Sequence, residues 1–153
     1  MAETPQTLRA ALNRDESWRS KPYLDCCGKY WRDCTCKKKG KLSVGWGRNL
    51  DDVPLSMAAG DFLLDEDITA ATADAIAALP WIVRIDEARR EALINLRFNL
   101  GLAGLLKFRK MLEAAEQGLW ATAAAELRDS KHREQTGSRN ERLALQLETG
   151  ERQ

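Results

Sequence analysis

Residues 12–25 read Leu-Asn-Arg-Asp-Glu-Ser-Trp-Arg-Ser-Lys-Pro-Tyr-Leu-Asp, and residues 42–48 read Leu-Ser-Val-Gly-Trp-Gly-Arg. The first stretch begins inside a helix and ends outside one. Upstream of it, Thr4-Pro5 reads as an N-cap followed by a first-turn proline, and Leu8, Ala11 and Leu12 recur at helical spacing. The helix is expected to stop near Glu16, because Pro22 bars any continuation and biases Lys21 toward extended backbone. In the second stretch, apolar Leu42, Val44 and Trp46 alternate with small residues. That alternation predicts a strand whose glycines permit close backbone approach, paired with Tyr23-Leu24-Asp25 in a small antiparallel sheet.

Downstream of Pro54 the pattern turns helical. Ser56 opens an amphipathic segment with Phe62, Leu63, Ile68, Ala75, Ile76 and Leu79 on its apolar side, ending before Pro80. From Ile85 to Leu100 the chain is apolar around most of a helix circumference, which predicts a helix in the middle of a core, with Gly101 as its C-cap. Further helices are predicted from about Leu105 to Glu116, Trp120 to Arg128 and Ser138 to Glu148, punctuated by glycines at 118, 137 and 150. A small sheet early in the chain and a long helical remainder make the fold class α+β.

Composition narrows the functional classes. The chain has 153 residues, 44% of them hydrophobic and 31% charged, which suits one folded domain and not a disordered chain. No apolar run approaches the length of a membrane span. The first nine residues are polar and lack the apolar stretch of a secretory signal, so the chain is expected to start its life in the cytoplasm. The net charge of +1 conceals an asymmetry. Arg19 to Arg48 holds nine Lys or Arg against two Asp, and Asp51 to Ala78 holds seven acids and no Lys or Arg. Two readings are open: solvated faces that attract each other, or a basic lobe presented to an anionic polymer such as a cell wall.

Glycosidic bonds break when one carboxylic acid protonates the leaving oxygen and a second carboxylate activates water or attacks the sugar. Partial burial helps the acid keep its proton until transfer. Glu16 lies at the end of an apolar-striped helix beside Trp18, and Asp25 lies nine residues on, across the proline turn. By itself such a pair is unremarkable among 23 acids.

The longer string is more specific. Leu12-x-x-Asp15-Glu16-x-x-Arg19-x-x-x-Tyr23-x-Asp25, then Ser43-Val44-Gly45-Trp46-Gly47-Arg48, resembles the active-site region of glycoside hydrolase family 24, the lysozymes and endolysins of tailed bacteriophages. The resemblance continues through Arg89-Arg90, Ala92-Leu93-Ile94-Asn95-Leu96, Phe98-Asn99-Leu100-Gly101, Phe108, Trp120, Ala123-Ala124, Ser130, Gln135 and Arg139. It implies a lysozyme-like fold occupying residues 1–153: an N-terminal lobe over about 13–55 with a β-hairpin sheet, a connecting helix over about 56–79, and a helical C-terminal lobe over about 80–153 with the N-terminal helix 5–12 packed on it. It implies a muramidase that cuts peptidoglycan with inversion. Glu16 would be the general acid, Asp25 and Ser43 would position the attacking water, and Asn99 and Arg139 would bind substrate. No cofactor is implied for catalysis. The partners implied are peptidoglycan and a holin that releases the enzyme from the bacterial cytoplasm to the periplasm and wall at lysis, with no nucleic acid, no membrane span and a monomeric enzyme. A lytic transglycosylase and a non-catalytic wall-binding module are the alternatives.

Three departures from the family pattern stand out. Ser43 replaces a threonine and loses the methyl that stiffens χ1. Arg48 stands where a histidine is common, and an Arg48–Asp67 ion pair is expected in its place. Seventeen residues, against five in the family, separate Asp25 from Ser43, and they carry all four cysteines, Cys26, Cys27, Cys34 and Cys36. So short an excursion has no core of its own and invites a staple. Structural zinc, two disulfides and free thiols are the open possibilities. Lys37-Lys38-Lys39 is read as a hairpin tip favouring anionic wall polymers, and His132, the lone histidine, receives no catalytic part.

Overall fold

The computed structural model describes residues 7–130 and 137–153. Thr4, Pro5, His132 and Gln135 lie outside the described residues. The chain forms two compact units, Met1–Gly60 and Asp61–Gln153.

In the first unit, helix α1 (Leu8–Asp15) is capped by Thr7, whose hydroxyl accepts from the Ala10 N–H at 3.1 Å. The helix ends at Glu16, as Pro22 dictates; Glu16 is the C-cap and donates its N–H to the Leu12 carbonyl at 2.7 Å. Strand β1 (Arg19–Leu24) pairs antiparallel with β2 (Leu42–Gly45), which pairs antiparallel with β3 (Arg48–Asn49). The order is β1-β2-β3. Arg19 faces Gly45 and Tyr23 faces Ser43, so β1 carries extra residues over this interval. Pro22, which has no N–H to give a ladder, sits in that irregular stretch of an edge strand. The strand expected to run through Trp46-Gly47 turns back instead. Gly45 (φ 65°) and Gly47 (φ 72°) take left-handed backbone around Trp46, and the chain returns as β3. Between β1 and β2, a single helical turn at Trp31–Asp33 and a Tyr23–Tyr30 bridge give the inserted loop what regular structure it has.

Helix α2 (Met57–Ala78) starts where Ser56 caps the Ala59 N–H and ends before Pro80, as expected. Its apolar residues do not share one fate. Ala71 and Ala75 are buried, whereas Phe62, Leu63 and Ile68 are exposed. A short turn, Pro80–Arg84, buries Trp81 and Ile82. Helix α3 (Glu87–Leu105) is capped by Asp86 and breaks at Gly101, whose φ of 71° and ψ of 166° suit only glycine. The core helix thus breaks where its C-cap was expected, and a short helical segment continues to Leu105. Helices α4 (Arg109–Glu116), α5 (Trp120–Arg128) and α6 (Ser138–Thr149) complete the second unit. The stretch expected as helix from Leu105 starts only at Arg109, because Leu106 caps the preceding helical segment and residues 106–108 form a turn.

The core of the second unit is aliphatic: Ile82, Ala92, Leu93, Leu96, Leu105, Met111, Leu127 and Leu147 have at most 1% of their surface exposed. Apart from Ala92, burying side chains of this size contributes roughly 1.5–3 kcal/mol each. Polar groups lock its periphery. The Arg89 guanidinium caps the end of α6 through the Leu147 (2.7 Å) and Glu148 (2.9 Å) carbonyls, and lies over the Trp120 ring. Gln146 donates to the Ala88 carbonyl at 2.7 Å. Among the described residues, no helix is long and apolar enough to cross a membrane.

Candidate active site

Three of the residues singled out by sequence, Glu16, Asp25 and Ser43, belong to the first unit and gather on its sheet. Glu16 leaves the end of α1 and its carboxylate rests on the backbone of the β2–β3 turn. A Cβ at Gly47 would stand 2.6 Å from Glu16 Oε2, so only glycine lets the carboxylate settle there. Trp18 does not enclose it. The Trp18 ring packs on Trp46, with centroids 5.4 Å apart, and approaches Gly45. Glu16 is therefore exposed, which corrects the partly buried setting expected from its neighbours. The two tryptophans remain 60% and 46% exposed, an aromatic surface beside the acid.

Asp25 follows directly on β1. Its N–H donates to the Lys41 carbonyl at 3.1 Å, and its Oδ1 accepts the Lys41 N–H at 2.8 Å. Its other carboxylate oxygen has no hydrogen-bond partner among the described residues. Ser43 lies two residues beyond Lys41 on β2, opposite Tyr23 and Asn49, and only 6% of its surface is exposed. Of the alternating residues of β2, the small serine is the most buried. Asp25, just past the end of β1 and opposite Lys41, thus lies two residues along from Ser43 on the neighbouring strand, and Glu16 meets the turn at Gly47, four residues past Ser43. A carboxylate that accepts, a hydroxyl that donates and accepts, and a separate carboxyl group are the parts that acid-assisted hydrolysis needs.

Arg48, whose expected partner Asp67 belongs to the other unit, donates to the Pro54 carbonyl at 2.6 Å within its own. Lys41 pairs with Asp52 at 2.8 Å. Asp52 is held below the usual carboxylate range by that hydrogen bond and by the Asn49 amide.

The four cysteines cluster at the neck of the inserted loop. Every sulfur lies within 4.8 Å of the other three, and none is disulfide-bonded. This is the one group of metal-ligating side chains found among the described residues.

In the second unit, the other two predicted residues meet. Arg139, in the first turn of α6, donates through Nη1 to the Asn99 side chain at 3.1 Å and through Nε and Nη2 to the Asn95 Oδ1 at 3.0 and 2.8 Å. Asn95 is a site residue that the sequence reading misses. The available signal is its place four residues before Asn99, on the same face of α3. Arg139 and Asn95 line a cavity of about 630 Å³ together with Ile94, Phe98, Arg90 and Glu91. A second cavity in this unit, about 780 Å³ around Phe108, Glu126 and Ser130, contains none of the predicted site residues.

Residues 13–144 match the family Phage lysozyme. Probable T4-type lysozyme 1 of Dictyostelium discoideum is 31% identical over 100 residues, covering 63% of this chain and 58% of that relative. Probable T4-type lysozyme 2 of the same organism is 39% identical over 66 residues, covering 43% of this chain and 39% of its own length. The pre-baseplate central spike protein Gp5 of Enterobacteria phage T4 is 30% identical over 161 aligned positions, which take in 94% of this chain and 28% of Gp5. The matches therefore span little more than half of these relatives at most. The family match covers the sheet bearing Glu16, Asp25 and Ser43 as well as the helices bearing Asn99 and Arg139, and the chain belongs to the phage lysozyme family.

Proposed function

We propose that this chain is an endolysin-type muramidase, hydrolysing the β-1,4 bond between N-acetylmuramic acid and N-acetylglucosamine in peptidoglycan. The observation that carries the reading is the convergence of Glu16, Asp25 and Ser43 on one small sheet in a chain of this family. Glu16 gives its proton to the leaving glycosidic oxygen. Asp25, with one oxygen held by the Lys41 N–H, accepts a hydrogen bond from the attacking water through the other, and Ser43 fixes the same water from the neighbouring strand. Water enters opposite the leaving group, so the product is inverted. The exposed Trp18–Trp46 pair offers an apolar face for a sugar ring beside the acid. Arg139, held by Asn95 and Asn99, supplies a rigid cation toward the anionic wall. Catalysis needs no cofactor. The enzyme acts as a monomer, reaching the wall when a holin opens the way from the cytoplasm.

Clearing of purified peptidoglycan by the wild type and by Glu16→Gln, with mass analysis of the released sugars, tests this. The expected result is reducing muropeptides from the wild type and a folded variant slower by at least about a hundredfold. An undiminished variant would show that Glu16 is not the acid. Anhydro products would instead make the enzyme a lytic transglycosylase, for which Asp25 has no role.

A further inference from the structure

The cysteines remain outside this chemistry, and their geometry is specific. Cys26 Sγ stands 3.7 Å from Cys34 Sγ and 3.9 Å from Cys27 Sγ, and all four sulfurs fall within 4.8 Å of one another. A disulfide needs sulfurs at about 2.05 Å. Four thiolates placed about 2.3 Å from one zinc ion at tetrahedral angles lie about 3.8 Å apart. The Cys26–Cys34 and Cys26–Cys27 separations match the edges of such a tetrahedron, and the remaining sulfurs stay within 4.8 Å of one another, close enough for one ion to draw together.

The surroundings agree. Lys39 donates to the Cys34 carbonyl at 2.6 Å and adds a cation close by. Between Cys26 and Gly40 the loop buries only Cys34, too little to hold fifteen residues in one conformation.

We propose that Cys26, Cys27, Cys34 and Cys36 bind one structural zinc ion, which folds the 26–40 loop as a closed tetrathiolate knuckle. All four coordination positions are filled by protein, so the ion has no open site for water or substrate and takes no part in cleavage. Cys26 adjoins Asp25, and fixing its sulfur fixes the end of β1 from which that aspartate projects. The proposal rests on the sulfur geometry and stands apart from the muramidase reading.

Elemental analysis of the full chain, purified under reducing conditions from zinc-supplemented cells, should find one zinc per protein. Replacement by cobalt(II) should give thiolate-to-cobalt charge transfer and the intense visible bands of a tetrahedral site. Chelation should then release the metal and expose four alkylatable thiols in place of none. Cys34→Ser and Cys36→Ser should lose the stoichiometric zinc; should either fail to fold, the titration of the wild type decides alone. Metal-free wild-type protein with four reactive thiols, a mass short by four hydrogens from two disulfides, or iron in place of zinc would overturn the proposal.

Discussion

Gly47 joins the backbone and the chemistry at a single position. Its φ of 72° disfavours a side chain, and the Glu16 carboxylate occupies the space that a Cβ would fill. Gly118, with φ of 74° and no atom within 4 Å of its would-be Cβ, has the first constraint without the second. Both Gly→Ala changes should cost about 1 kcal/mol of stability in thermal melts. Only Gly47→Ala should also slow peptidoglycan clearing, by about tenfold or more, because it displaces the acid. Equal activities for the two variants would detach Glu16 from the turn. At this scale the sequence is partly legible. The spacing of the family motif brings out Glu16, Asp25 and Ser43, because a helix end and two strands place them. It misleads about the surroundings of Glu16, because Trp18 is its neighbour in sequence, while the residue it touches, Gly47, lies far along the chain and gives no local sign of the contact. Asn95 is hidden for another reason: its role shows only once it is seen to share a helical face with Asn99.

Helix α3 shows how an element can be anchored at both ends by polar chemistry. At its start the Asp86 carboxylate accepts the Arg89 N–H and guanidinium, each at 2.9 Å. Burial pushes this carboxyl upward, but those two bonds outweigh it and hold Asp86 below its ordinary range. A carboxylate that is more acidic in the folded chain than in the unfolded one stabilises the fold fully above its unfolded value, near 4, and loses that contribution as pH falls through the folded value. Asp86→Asn keeps a capping side chain and removes the titration. Its urea midpoint should lie below that of the wild type at pH 7, with the gap closing as pH falls below the ordinary carboxylate range. A gap independent of pH would show that the charge contributes nothing. Helix boundaries are the most readable features of the sequence, because Ser56, Pro80, Gly101 and Gly150 act through backbone geometry and need no distant partner. The exceptions come where packing or turns intervene: the apolar residues early in α2 are exposed, and the turn after Leu105 delays α4 to Arg109.

Across the whole molecule, the excess of cations from Arg19 to Arg48 is only partly consumed internally. Lys41 pairs with Asp52, Arg19 donates to the Gly28 carbonyl, and Arg48 is taken up by Pro54, while Lys21, Lys29, Lys37 and Lys38 stand exposed. Clearing of intact walls should therefore weaken as salt rises from about 0.01 to 0.15 M, over which screening shortens from about 30 to 8 Å. A flat profile would remove any steering role for this surface. The charge pattern is plain in the sequence; which cations are spent inside the first unit is not, since those partners are mostly backbone carbonyls. The loop carrying Lys37 and Lys38 leaves and rejoins the sheet through one pair of residues. Asp25 and Lys41 are hydrogen-bonded to each other, and Gly40 lacks the Cβ that would collide with Asp25. Ends already joined in this way make chain closure nearly insensitive to what lies between them, since doubling a loop costs only about 0.6 kcal/mol. The seam at Asp25–Lys41 is thus a natural grafting point, where a shorter turn or a different binding peptide can be exchanged without re-registering the sheet.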